Sequence, residues 1–167
     1  MTLLEMLVAV GIGMMVMAAV GALMFYTVRS YVALGNYNDL DQASRFALDA
    51  MSRDIRQVRN VNYCSTNLLY VNDWTLCYWW NPNPNDRRLY RYELSGSAWK
   101  STILLEQCDY LRFGMSQRNP SNNFSFYPTT GTTTAKLLDV SWTCSREIFN
   151  KRANTESVQT AKIVIRN

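Results

Sequence analysis

Histidine is absent from this chain of 167 residues. Its absence excludes catalytic triads built on histidine, imidazole metal ligands and the Cys-x-x-Cys-His attachment of c-type haem. Among the 13 acidic residues, no pair of carboxylates has the spacing of a general acid and base or of a calcium loop. These absences predict a protein that is not an enzyme and that uses no cofactor and no metal ion.

Charged side chains are missing from residues 6–28, which also contain no Asn, Gln or Pro. As a helix, these 23 residues would be about 34 Å long, enough to cross the ~30 Å hydrocarbon core of a bilayer. A cleaved signal peptide is a poorer explanation, because the apolar stretch is too long and no Lys or Arg precedes Arg29. We therefore predict that residues 1–28 form a membrane-spanning helix.

A single acid, Glu5, stands at the start of this apolar segment. A carboxylate is costly to bury in a membrane, and the following 23 residues contain no basic side chain that could pair with it. Its partner must therefore be a lipid headgroup, water or a positive charge on another molecule.

The first ten residues resemble the mature N-terminus of the type IV pilin family, which includes the pseudopilins of type II secretion; they read MTLLEMLVAV. In that family a peptidase removes a short basic leader after a glycine and methylates the new N-terminal amine. The resemblance therefore implies that Met1 is the processed and methylated residue of a mature chain, although Phe is usual there. It also implies assembly roles for Thr2 and Glu5, at the positions of the family's small polar residue and its glutamate. In assembled filaments that glutamate neutralises the N-terminal ammonium of a neighbouring subunit in a dry core, where opposite charges attract strongly.

The helix is predicted to continue, as an amphipathic segment, over residues 29–60, which contain no Pro. Apolar side chains recur there at steps of three and four residues and predict one buried face. They are Val32, Leu40, Ala43, Ala47, Met51, Ile55 and Val58. Acid–base pairs at i,i+4, such as Asp41 with Arg45, indicate a solvated opposite face. Residues 44–57 resemble the helix end of one pilin-like branch, which includes minor pilins and the larger minor pseudopilins.

Beyond residue 61, short segments rich in aromatic and β-branched residues predict strands. They cover residues 68–71, 75–80, 88–94, 99–105, 110–115, 137–143 and 158–166. Turn residues separate them, and residues 95–97 predict a hairpin turn. Such strands need another element to cover one face, and the long helix can provide it. We therefore predict an α+β fold. In this fold a long N-terminal helix, whose first half spans the membrane, packs on an antiparallel β-sheet head of residues 61–167. The resemblance to pilins implies the same fold.

All four cysteines lie in this head. Beyond a membrane anchor the head would occupy an oxidising compartment, so we predict that the cysteines pair as disulfides. Four cysteines allow three connectivities, and nearness along the chain favours Cys64–Cys77 and Cys108–Cys144. Zinc binding is the less favoured alternative, since the chain has neither a Cys-x-x-Cys pair nor a histidine.

An aromatic and basic segment of the head is a candidate ligand surface, in which Trp79 and Trp80 are followed by Arg87, Arg88 and Arg91. Surfaces of this kind bind single-stranded nucleic acid through base stacking and phosphate contacts. The alternative, which we favour, is that the aromatic residues belong to the core and the arginines to exposed strand faces.

The resemblance implies a structural subunit of an extracellular type IV pilus-like filament, held in a bacterial inner membrane before assembly and on the cell surface afterwards. Its partners would be other pilin subunits, the prepilin peptidase and the assembly platform. Two alternatives stay open. One is a minor pilin or minor pseudopilin that primes or caps a pilus or a secretion pseudopilus, and the other is a membrane-anchored adhesin or DNA-binding module.

Overall fold

One long helix is followed by two antiparallel sheets in a computed structural model, which describes residues 2–121, 125–146 and 156–165. The predicted α+β class is therefore confirmed. The helix, α1, spans Leu3–Arg56. The strands are β1 (Val61–Cys64), β2 (Leu68–Val71), β3 (Leu76–Trp80), β4 (Leu89–Ser95), β5 (Ala98–Leu105), β6 (Cys108–Arg118), β7 (Phe126–Pro128), β8 (Leu137–Ser145) and β9 (Glu156–Val164).

Helix α1 is continuous over 54 residues, and only its C-terminal part is buried. Its buried residues recur at steps of three and four, as an amphipathic helix requires, and they are Leu40, Ser44, Ala47, Met51 and Ile55. Two residues of the predicted apolar face, Val32 and Ala43, are exposed instead. Val32 precedes the segment that the head covers, and Ala43 lies at the flank of the buried stripe. The helix ends four residues before the predicted residue 60, where the N–H of Gln57 donates to the carbonyl of Asp54 at 3.1 Å.

The strands form two sheets rather than the single sheet that the sequence predicted. The first has the order β1-β2-β3-β4-β5, and the second has the order β7-β6-β8-β9. They separate at residues 106–107, where Gln107 adopts a left-handed φ of 58°. The predicted hairpin turn is confirmed, since Ser95 pairs with Ala98 and Gly96 takes the positive φ of 66° that such two-residue turns need. Strands β1 and β7, which have four and three residues, were not predicted from the sequence.

The hydrophobic core lies where α1 meets the inner faces of both sheets. Trp142 of β8 is its largest fully buried side chain, with 1% of its surface exposed. The indole Nε1 of Trp142 donates to the hydroxyl of the buried Ser44 on α1 at 3.2 Å. This hydrogen bond satisfies both polar groups and fixes the position of α1 on the second sheet.

Asp54 fixes α1 on the first sheet. Its carboxylate accepts a hydrogen bond from the Tyr78 hydroxyl at 2.8 Å and one from Nε of Arg91 at 2.7 Å. Arg91 also donates to Glu93 at 2.6 Å. Burial, assisted by the nearby Asp54 carboxylate, raises the pKa of Tyr78, so the tyrosine remains a hydrogen-bond donor. The cluster therefore connects the end of the helix with β3 and β4.

Asp54→Ala is expected to lower the free energy of unfolding by about 1–3 kcal/mol, because Tyr78 and Arg91 would each lose an acceptor in a partly buried position. The measurement is thermal unfolding of the full chain in detergent micelles. Asp49→Ala is the matched control, since Asp49 lies on the same helix and is exposed. Equal melting temperatures for the two variants would contradict the role of Asp54.

Candidate assembly site and ligand surface

The first two thirds of α1 meet the head only near their C-terminal end, where Nη1 of Arg146 donates to Asn36 at 3.1 Å and pairs with Asp39 at 3.5 Å, among the described residues. None of residues 2–39 is buried, although most are apolar as far as residue 28. Among the described residues, this helix is the one that is long and apolar enough to cross a membrane. At about 1.5 Å per residue, the part before Leu40 extends roughly 55 Å. We call residues 3–39 the shaft. So large an apolar surface needs lipid or another protein around it.

The N-terminal end of the shaft has a capping box. The Thr2 hydroxyl accepts a hydrogen bond from the N–H of Glu5 at 3.4 Å, and the Glu5 carboxylate accepts one from the N–H of Thr2 at 2.8 Å. These bonds satisfy two backbone donors that have no partner inside the helix. Both side chains are exposed. The predicted processing residue, Met1, lies outside the described residues.

Within the described part of the chain, Glu5 has no basic side chain at ion-pair distance. Its charge therefore lies at the end of an apolar helix and is available to a cation from another molecule. The sequence pointed to this arrangement through the missing basic residues. The capping contact with Thr2 is an additional role, which the resemblance did not supply.

The five residues of the predicted aromatic and basic surface do not come together. Trp79 points to the outer face of the first sheet, away from α1, whereas the adjacent Trp80 packs against the core and donates from Nε1 to the Cys108 carbonyl at 3.0 Å. The arginines are distributed between different acids, as Arg87 pairs with Asp109 at 2.5 Å, Arg91 with Asp54 at 2.7 Å and Arg88 with Asp86 at 3.4 Å. The nucleic-acid surface is therefore not assembled as the sequence suggested.

A different set of side chains shares the outer face of the first sheet. The strand register places Trp79 beside Tyr90, and the ring centroids lie 5.7 Å apart with planes inclined by 22°. Tyr92 lies 6.5 Å from Trp79. An open groove of about 450 Å³ is lined by Leu68, Tyr70, Cys77, Trp79, Tyr92 and Trp99, and Tyr90 lies beside it against Trp79. We call six side chains of this outer face the aromatic face: Leu68, Tyr70, Trp79, Tyr90, Tyr92 and Trp99.

The sequence analysis overlooked Tyr90 and Tyr92 as surface residues. Their alternation with Arg91 was visible and did predict a strand with two different faces. Alternation does not show which strand lies next to β4, however. The pairing of β4 with β3 places Tyr90 beside Trp79.

All four cysteines lie in the described part of the chain, and each is a free thiol. The predicted Cys64–Cys77 disulfide is wrong. Cys64 pairs with Leu69 and Cys77 pairs with Tyr70, so the two cysteines lie on opposite faces of the sheet. They are also two strands apart, roughly 10 Å, which is farther than a disulfide can span.

Cys108 and Cys144 are directly opposite each other on β6 and β8, and both are buried. The interaction between the two thiols raises the pKa of Cys108 and lowers that of Cys144, and the Cys108 thiol donates to the Tyr110 carbonyl at 3.3 Å. Directly opposite residues of antiparallel strands have Cα atoms about 4.5–5.5 Å apart, within the range of a disulfide. Burial raises the pKa of Cys64 to about 11, which makes that thiol unreactive.

In chain isolated from an oxidising compartment, we expect a Cys108–Cys144 disulfide, because the two positions require little backbone movement. The bond would raise the free energy of unfolding by about 2–4 kcal/mol. Peptide mapping under non-reducing conditions measures the pairing, and Cys144→Ser is the control that should remove the crosslinked peptide. Two alkylated peptides containing Cys108 and Cys144 would contradict the prediction.

Comparison of the chain with models of known protein families, with curated protein sequences and with solved structures found no match.

Proposed function

We propose that this chain is a structural subunit of an extracellular filament of the type IV pilus kind, assembled through its N-terminal helix. The observation that carries the proposal is the apolar shaft, none of whose residues is buried and which continues without a break into the part of α1 that is buried in the head. A helix packed on antiparallel sheets is also compatible with the pilin-like fold that the N-terminal residues imply.

The apolar surface of the shaft would be covered first by lipid and then by other subunits. Before assembly, lipid would surround its apolar surface in the inner membrane, and in the filament the shafts of other subunits would replace the lipid. Gly11, Gly13 and Gly21 support such packing, because they lie on the open surface of the shaft, where no atom beyond their own stretch of helix lies within 4 Å of a Cβ built on any of them. Small residues of this kind allow helices to approach closely.

Glu5 is proposed to set the register between subunits. In the dry core its carboxylate would pair with the N-terminal ammonium of the neighbouring chain, at the methylated Met1. An unpaired charge in that environment is heavily penalised, so subunits would be held at the one position where both charges are satisfied. Thr2 contributes by capping the helix that carries Glu5. The prepilin peptidase and the assembly platform would be the remaining partners.

A minor pilin or minor pseudopilin, which primes or caps a fibre, is the alternative that residues 44–57 favour through their resemblance. The test is immunogold labelling of filaments sheared from cells that produce the chain, followed by counting of labels along each filament. Labels along the whole length support the main proposal, and a single label at one tip supports the alternative. Absence of label from every filament, with the chain retained in membranes, would overturn both.

A further inference from the structure

We propose that the aromatic face binds a neutral oligosaccharide, a chain of β-1,4-linked hexopyranose units, whose rings stack on Trp79, Tyr90 and Tyr92. This inference concerns the head alone and is separate from assembly through the shaft.

The rings of the aromatic face form a compact platform. Trp79 and Tyr90 are nearly parallel, at 22°, and Tyr92 lies 6.0 Å from Tyr90 and 6.5 Å from Trp79. The groove that Trp79 and Tyr92 line, about 450 Å³, falls within the usual range of small-ligand sites, about 300–1,000 Å³. One face of a short sugar chain would therefore meet a triangular cluster of three aromatic rings.

One ring of the platform, Tyr90, is held in place before any ligand binds. The Tyr90 hydroxyl donates to the Asp86 carboxylate at 3.0 Å, and Nδ2 of Asn81 donates to the same carboxylate at 2.7 Å. The loop between β3 and β4 thus anchors Tyr90 through its hydroxyl group. Groups fixed in advance lose little conformational freedom on binding, which favours recognition.

The chemistry of the face matches a pyranose ring. Aromatic rings have a negative face, which attracts the weakly positive C–H groups on the apolar side of a sugar. Tyrosine hydroxyls can donate and accept hydrogen bonds, so Tyr70 and Tyr92 can serve the sugar hydroxyls at the rim of the groove. A flat β-1,4-linked chain presents such C–H faces on successive units.

The distribution of charge favours a neutral ligand over a phosphate chain. Arg88, at the edge of the aromatic face and 44% exposed, pairs with Asp86. Arg91 lies on the opposite face of the sheet, between Asp54 and Glu93. Single-stranded nucleic acid needs cations along its backbone as well as stacking rings, and these arginines are already neutralised.

A second copy of the chain is a weaker candidate for this surface. Tyr78 and Arg91 contact Asp54 of α1, so the aromatic face lies on the side of the sheet away from the helix. If the helices lie along the filament axis, this face points outward from it. This one argument rests on the proposed function, whereas the ring geometry and the charges do not.

The test is calorimetric titration of the full, unassembled chain with cellohexaose and with chitohexaose, in a detergent that contains no sugar. We expect at least one of them to bind, and we expect Trp79→Ala and Tyr92→Ala each to weaken its affinity at least tenfold.

Tyr110→Ala is the matched control, since Tyr110 is 49% exposed on the other sheet and should leave the affinity unchanged. Thermal unfolding identifies any variant that fails to fold, and Trp79→Phe, which keeps a ring, should retain most of the binding.

Three results would overturn the proposal. These are no binding of either hexasaccharide by the wild-type chain, equal affinities for wild type and Tyr92→Ala, and self-association that Tyr92→Ala abolishes without any sugar binding. A single-stranded oligonucleotide that binds at physiological salt and displaces the sugar would also overturn the assignment to a neutral ligand. Because the chain is unassembled in this titration, a failure to form filaments would not alter its outcome.

Discussion

Glu5→Gln is expected to enter the membrane as well as the native chain does and to be depleted from filaments at least tenfold. Glutamine can still accept the hydrogen bond from the N–H of Thr2, so the capping box is preserved. The substitution removes only the negative charge, and the ammonium of the neighbouring subunit would then be left unpaired in a dry core. The measurement is the ratio of chain in sheared filaments to chain in the membrane fraction.

Thr2→Ala is the complementary control for this prediction. It removes the side-chain acceptor of the capping box but keeps the charge of Glu5. We expect helix formation to weaken slightly and filaments to form in near-normal amount. A reversed result, with Thr2→Ala depleted from filaments and Glu5→Gln incorporated normally, would mean that the cap and not the charge governs assembly.

Trp142→Ala is expected to lower the free energy of unfolding by about 3–5 kcal/mol, the range for truncation of a fully buried aromatic side chain. The indole fills the space between α1 and the second sheet, so its loss leaves a cavity and an unsatisfied site at Ser44. Thermal unfolding of the full chain, followed by circular dichroism, measures the change.

Trp99→Ala is the control for the effect of losing a tryptophan as such. Trp99 is 48% exposed, and we expect its truncation to change stability by less than about 0.5 kcal/mol. Ser44→Ala should fall between the two, at about 1–3 kcal/mol, because it leaves the buried indole N–H without an acceptor. Similar melting temperatures for Trp142→Ala and Trp99→Ala would contradict the central place of Trp142 in the core.

The sequence was informative wherever a local pattern determines structure. The uncharged run predicted the exposed first part of α1, and steps of three and four residues correctly identified Leu40, Ala47, Met51 and Ile55 as buried. Alternation predicted β4, and Gly96 marked its turn. In each case the relevant interactions lie within a few residues along the chain.

Contacts between strands of the head could not be predicted from local sequence patterns. Nearness along the chain suggested Cys64–Cys77, but side-chain direction in a strand alternates, and the register places the two cysteines opposite consecutive residues of β2 and therefore on opposite faces. The same limit hid the stacking of Tyr90 on Trp79. It also concealed the acids that neutralise two of the arginines, since the partners of Arg87 and Arg91 lie 22 and 37 residues away.

The sequential order of the first sheet has a consequence for how the chain folds. Each strand from β1 to β5 pairs with its neighbour in sequence, so little loop entropy opposes those contacts. By contrast, the Ser44–Trp142 and Asp41–Gln159 bonds, which join α1 to the second sheet, span 98 and 118 residues. We expect pulse-labelled hydrogen exchange to show amides of the first sheet protected before those of β8 and β9. The end of the helix could then dock early on the first sheet through Asp54, whereas its contacts through Ser44 and Asp41 would form only after β8 and β9 are in place.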